Sequence, residues 1–167
     1  LQHPSFLDSL ALMLARYPAG TNRLQFEILE TTSMEDIGVV TRTLATCEKL
    51  GVSFALDDFG TGYSSLTYLR RLPAKLLKID RSFVRDMLTD ENDLKIVEGT
   101  IKLAEAFDRD VIAEGVESVE HGIKLLQLGC VYAQGYQIAK PMPADEIKSW
   151  LRNYRIPAEW RALAQSA

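Results

Sequence analysis

The stretch "VSFALDDFGTGYSSL" (residues 52–66) decides how this chain folds. Its first part, Val52 to Leu56, is an apolar run of strand length. Two adjacent carboxylates follow, Asp57 and Asp58, then the Gly-x-Gly turn Gly60-Thr61-Gly62 and the hydroxyls of Tyr63, Ser64 and Ser65. A strand that runs into a glycine turn and then into a helical pattern opens a βα unit. Two neighbouring negative charges repel, and burying either without a partner is costly. The stretch therefore calls for a positive charge from outside the sequence.

Outward from it, short apolar runs alternate with longer amphipathic ones, the rhythm of βα units around a parallel sheet. Strands are expected at 23–29, 52–57, 76–79, 110–115 and 130–135, and helices near 34–49, 63–71, 92–107, 118–128 and 143–153. Gly51 and Gly129 stand where left-handed helix caps belong. Pro73 is expected to end the short helix and Pro143 to open the last one. The first residues, "LQHPSFLDSLALML", are already helical in pattern, an abrupt start that suggests a fragment. No linker or low-complexity tract interrupts the series, so the whole chain, 1–167, reads as one domain or part of one.

Composition narrows the function. At 167 residues, 47% hydrophobic and 25% charged, the chain can bury one sizeable core. A net charge of −4 gives no broad basic surface, which argues against duplex nucleic acid as a partner. Cys47 and Cys130 are far apart in sequence and lack a C-x-x-C pattern, which suits packing in a reducing, cytoplasmic setting. No run reaches the length of a membrane span, so no membrane contact is expected of this segment, although a longer parent could be tethered elsewhere.

Each expected strand ends in polar groups that its apolar neighbours do not explain: Glu27 and Glu30, Asp57 and Asp58, Lys78 and Asp80, Glu114 and Glu117, and Gln134. In a parallel α/β arrangement the carboxyl ends of the strands share one face, so these groups are expected to meet. Singly, each has a plainer reading: an Asp-Asp before glycine is usually a turn or cap, and a lone lysine after a strand usually faces water. Together they read as a site. Carboxylates without a thiolate or histidine cluster match hard divalent cations, Mg²⁺, Mn²⁺ or Ca²⁺, rather than zinc. Two such cations about 3.5–4 Å apart, bridged by Asp57 and with Asp58 turned toward the second, would clamp a phosphodiester and activate water. Lys78 would polarise that water or a phosphoryl oxygen, and Gly60 and Gly62 would let the loop backbone approach a ligand.

The strings "FEILETTSMED", "ALDDFGTGYSSLTYLRRLPAKLLKIDRSFV", "VIAEGVES" and "AQGYQIAKPMP", in this order, resemble the EAL domain family of cyclic di-GMP phosphodiesterases. The resemblance implies a TIM-type (β/α)8 barrel, dependence on Mg²⁺ or Mn²⁺ with Ca²⁺ as an alternative or inhibitory occupant, and hydrolysis of cyclic di-GMP to linear pGpG. It implies that Glu27, Asp57 and Asp58 are metal ligands, that Glu114 is a second-metal ligand or base, and that Lys78 assists the attacking water. Asp80, Glu117 and Gln134 become supporting and substrate-side residues. Glu30 becomes the residue that fixes the loop of Gly60, Thr61, Gly62, Tyr63, Ser64 and Ser65, which the family uses to couple dimerisation to metal binding. A homodimer, and fused sensory or GGDEF domains in the parent, are implied likewise. Where the family carries Glu-Ile-Thr-Glu, this chain has Glu27-Ile28-Leu29-Glu30, which drops a hydroxyl and keeps both acids.

The family's Glu-Ala-Leu motif and a metal-binding asparagine lie upstream of the matching region. The chain thus reads as the C-terminal two-thirds of the domain, an incomplete barrel of about five βα units where a full one has eight strands in about 250 residues. Alone, such a piece is expected to be inactive. Two other functions fit less well. A receptor that binds cyclic di-GMP without cleaving it would be expected to have lost ligands that are present here. A receiver-like phosphoacceptor would place its acidic pair after the first strand.

Overall fold

Alternation of strand and helix runs through the chain as α1(Phe6–Arg16), β1(Gln25–Leu29), α2(Ile37–Lys49), β2(Ser53–Phe59), α3(Leu66–Arg71), β3(Leu76–Ile79), α4(Arg81–Asp86), α5(Glu91–Ala106), β4(Asp110–Glu114), α6(Val119–Gln127), β5(Tyr132–Gln134), α7(Ile147–Asn153) and α8(Ala158–Ala164). The structure is a computed structural model and describes residues 3, 5–17, 22–29, 37–62 and 66–165. The result is an α/β fold of βα units, as expected for part of a TIM-type barrel. No helix among the described residues is long and apolar enough to cross a membrane.

Two compact units make up the chain: residues 1–78 with 104–110, and residues 79–103 with 111–167. In the first, the strand order is β1-β2-β3, and β1 lies parallel to β2 with Glu27 opposite Ala55 and Leu29 opposite Asp57. Burial separates the two strands. β2 is buried at Phe54, Ala55, Leu56 and Phe59, as a strand covered on both faces should be, whereas in β1 only Ile28 is buried. The rings of Phe6, Phe26 and Phe54 follow one another at 6.0 and 6.1 Å, and Leu44, Cys47, Leu69 and Leu77 complete the core.

In the second unit β4 lies parallel to β5, with Ala113 opposite Ala133 and Glu114 opposite Gln134. Val84, Val97, Val111, Val116 and Leu125 form its core. α8 packs on α6 by standing the indole of Trp160 directly on Gly122, with Nε1 donating to the Val119 carbonyl at 2.8 Å. A side chain at 122 would occupy the space of that ring.

Gly51 and Gly129 cap their helices with φ of 85° and 88°, as the sequence indicated. Other boundaries moved for identifiable reasons. The last expected helix does not open at Pro143: the Pro143 carbonyl accepts from Glu146 N–H in a turn, and α7 begins at Ile147. β5 is shorter than expected because the Cys130 N–H is taken by Leu125 at the end of α6. α4 and α8, of six and seven residues, were not anticipated, since so few residues carry little periodicity.

Candidate active site

Lys78 lies in β3, whose sequence Leu-Leu-Lys-Ile is otherwise apolar, and it is only 7% exposed. An ammonium drawn that far from water must be compensated, and its Nζ stands 2.7 Å from Glu27 Oε1 and 2.8 Å from Asp57 Oδ1. Parallel pairing of β1 with β2 makes this pincer, since it brings both strands' carboxyl ends to the same side. The environments differ: the side chain of Glu27 is 52% exposed and that of Asp57 is 15% exposed. Part of the positive charge that the acidic pair demands is therefore in the sequence, and it comes from the lysine whose commonest role would be to face water.

Asp58 is re-aimed by its backbone. In a regular pleat, successive side chains point to opposite faces, so Asp57 and Asp58 would be parted. Asp58 instead takes φ of 53°, a left-handed conformation that aspartate tolerates better than most residues, at a cost of about 1 kcal/mol or more. The two residues then offer carboxylate oxygens within 4.8 Å of each other. The bend is fastened by Thr61, whose N–H and Oγ1 donate to the Asp58 carbonyl at 3.3 and 2.8 Å, and by the buried ring of Phe59.

Two carboxylates share one ammonium, and Asp58 offers a third carboxylate within 4.8 Å of that of Asp57. Asp57 Oδ1 is buried, and its contact with Lys78 is ionic without hydrogen-bond alignment. An all-oxygen set with an unaligned buried carboxylate oxygen and a strained aspartate beside it fits a hard divalent cation.

In the second unit Glu114 ends β4 opposite Gln134 on β5. The following residues, 115–118, are clamped from two sides. A Cβ at Gly115 would lie 2.7 Å from Arg81 Cβ, and one at Gly135 would lie 2.2 Å from the Val116 carbonyl oxygen. Val116 N–H donates to the Gln134 carbonyl at 3.1 Å, and its own carbonyl accepts from Gln137 N–H at 3.0 Å. Glu117 and Gln134 are exposed on this fastened frame. Asp80 serves the backbone, because its Oδ1 caps α4 by accepting from Ser82 N–H at 2.9 Å and from the Ser82 hydroxyl.

Of the residues singled out in the sequence, the first unit thus brings Glu27, Asp57, Asp58 and Lys78 together. The second sets Glu114, Glu117 and Gln134 on one rigid frame. Gly60, Thr61 and Gly62 follow β2 as expected, while Glu30, Tyr63, Ser64 and Ser65 lie outside the described residues. Sequence reasoning missed His121, which is buried beside this frame. Its only signal was the Ser-x-x-His spacing from the α6 cap, Ser118.

Comparison with known proteins bears on the fold and the family. The chain is 39% identical over 145 residues to the bifunctional diguanylate cyclase/cyclic di-GMP phosphodiesterase MucR of Pseudomonas aeruginosa, a match covering 87% of this chain and 21% of MucR. The structure of the MucR phosphodiesterase in complex with c-di-GMP superposes with a TM-score of 0.83 at 38% identity, covering 87% of this chain and 59% of that one. The EAL domain of Mycobacterium smegmatis DcpA does so with a TM-score of 0.85 at 39% identity, over 94% and 70%. The chain spans about a fifth to a quarter of the length of the curated relatives it matches. The family model described as EAL domain matches residues 1–141. With that match, and the carboxylate-ringed lysine at its strand ends, the chain belongs to the EAL domain family.

Proposed function

We propose that this chain carries part of a metal-dependent phosphodiesterase site that hydrolyses cyclic di-GMP to linear pGpG. The carrying observation is the buried Lys78 held between Glu27 and Asp57, with Asp58 bent toward the same cluster. The names and bound ligand of the MucR relatives support the substrate. Glu27, Asp57, Asp58 and Glu114 would hold Mg²⁺ or Mn²⁺, with Ca²⁺ as an alternative occupant of the same oxygens. Divalent cations supply Lewis-acid polarisation of phosphoryl oxygens and acidification of water. Lys78 keeps its donors fixed for the attacking water or the phosphoryl oxygen. Glu114 takes the proton of that water. The water oxygen bonds to phosphorus as the P–O3′ bond breaks, O3′ leaves as a hydroxyl by taking a proton from solvent, and the second phosphodiester stays intact in the product. Asp80, Glu117 and Gln134 are the supporting and substrate-side residues, with Asp80 fastening α4.

A homodimer coupled to the site through Glu30 and the loop at 60–65, fused sensory or GGDEF domains in the polypeptide, and a cytoplasmic location belong to the same proposal. The test is incubation of the full protein with cyclic di-GMP and Mn²⁺, with the product separated by chromatography. Linear pGpG should accumulate, and chelation by EDTA should stop it. Tight binding of cyclic di-GMP without turnover would overturn hydrolysis in favour of a receptor.

A further inference from the structure

His121 is 8% exposed near the start of α6, and both ring nitrogens are engaged. Nε2 lies 3.0 Å from the Arg85 carbonyl oxygen, which can only accept, so Nε2 carries the proton. Nδ1 lies 2.9 Å from the Ser118 hydroxyl, which also hydrogen-bonds the Glu120 carboxylate. The same hydroxyl accepts the His121 N–H at 3.4 Å as the helix cap. One ring therefore ties the cap of α6 to the last turn of α4.

The position of that tie gives it a consequence. Residues 115–118 carry Glu117 and follow Glu114, and Gly115 presses on Arg81 in the first turn of α4. Arg85 is one helical turn further along. The segment is thus pinned to α4 at both of its ends, by backbone contact at Gly115 and by the imidazole of His121. α4 is the helix capped by Asp80, and Val116 carries the hydrogen bond to Gln134.

The geometry points to His121 as a positioning residue that sets the spacing of Asp80, Glu117 and Gln134, and through it the affinity for the nucleotide. This rests on the reading that those three are the supporting and substrate-side residues for cyclic di-GMP. The test compares two substitutions in the full protein with Mn²⁺. H121Q keeps an N–H where Nε2 donates to Arg85, while H121N places its amide near Nδ1 and falls short of that carbonyl.

H121N should raise KM for cyclic di-GMP about tenfold while leaving kcat within about twofold. It should also speed hydrogen exchange of the amides at 116–118, and H121Q should restore both. Unchanged exchange in H121N, or an H121Q protein as impaired as H121N, would overturn the assignment. A wild-type protein that neither binds nor cleaves cyclic di-GMP defeats the reading of the site instead, and the exchange comparison still decides the role of His121. Should H121N fail to fold, ring-nitrogen NMR of the wild type decides: a proton on Nε2 is expected, and one on Nδ1 alone overturns it.

Discussion

Lys78 and Arg109 are two basic side chains of the same unit, both drawn from water, and they are compensated in opposite ways. Lys78, toward the carboxyl end of β3, meets two carboxylates, and Asp58 offers a third within 4.8 Å of that of Asp57. Arg109 precedes β4, and its guanidinium donates to the carbonyls of Leu69, Leu72 and Ala74, where α3 ends and β3 is about to begin. Carbonyls are neutral acceptors, and three of them engage Nη1 and Nη2 while the buried Nε has no hydrogen-bond partner, so Arg109 knits backbone segments together without a counter-charge. Two carboxylates on one ammonium instead make a charged cluster whose oxygens suit a hard cation. In barrels of this class the carboxyl ends of strands carry chemistry and the amino ends carry stability. Here that division is written in what each cation touches.

The strongest way to break this comparison is at Asp57. If the charged cluster exists to hold cations, Asp57→Asn removes a charged ligand and should lower turnover of cyclic di-GMP by about 10³-fold or more, with weakened Mn²⁺ affinity measured by calorimetry. Turnover within tenfold of wild type would place the metal elsewhere.

Next comes Lys78→Met, which keeps the length of the side chain and removes the charge. Glu27 and Asp57 are left facing each other without their counter-ion, and breaking such a pair should cost about 3 to 5 kcal/mol in metal-free protein. Saturating Mn²⁺ should return part of that loss, because a ligand bound only by the folded state at a hundredfold its Kd adds about 2.7 kcal/mol. Urea denaturation with and without Mn²⁺ reads both numbers. Turnover should stay about a hundredfold low even with metal bound, since the donors to the reacting atoms are gone.

What the sequence disclosed follows the same divide. Asp57, Asp58 and the strand–helix alternation were legible because a local rule, acids after an apolar run before Gly60, announced them. The caps at Gly51 and Gly129 were legible for the same reason. Burial of Lys78 was not, because its cause lies on β1 and β2, in residues remote along the chain. His121 and Arg109 were hidden likewise: each spends its hydrogen bonds on carbonyls, and every residue carries a carbonyl. The cap role of Asp80 could have been read from the Asp-x-Ser spacing, but its place among the acids drew attention to chemistry first.

Arg109→Met offers the matching measurement at the other end. Burial already pulls the Arg109 guanidinium below its ordinary pKa, so charge here is a liability offset by three carbonyls. Removing it should cost about 3 kcal/mol, with the carbonyls partly rehydrated. That loss should be the same with and without Mn²⁺. A Mn²⁺-dependent change would show that the two ends of the strands are energetically one system, and the comparison would fail.

The smallest effect extends the comparison to the second unit. Cys130 precedes β5, and its thiol donates to the carbonyls of Tyr132 at 3.3 Å and Val111 at 3.7 Å, again a donor spent on backbone at the amino ends of strands. Burial pushes this thiol from 9.0 up to about 11. The folded state therefore keeps its proton over an interval in which the unfolded chain has lost it, so the contribution is full below pH 9 and is lost as pH rises through about 11. Two pH units of difference correspond to between about 2 and 3 kcal/mol. Lysines and tyrosines titrate in the same range, which is why the quantity to measure is the stability of wild type minus that of Cys130→Ala, by urea denaturation in steps from pH 8 to 11. The difference should fall steadily with pH. A flat difference would mean that the thiol meets water, and that amino-end donors serve the backbone in the first unit alone.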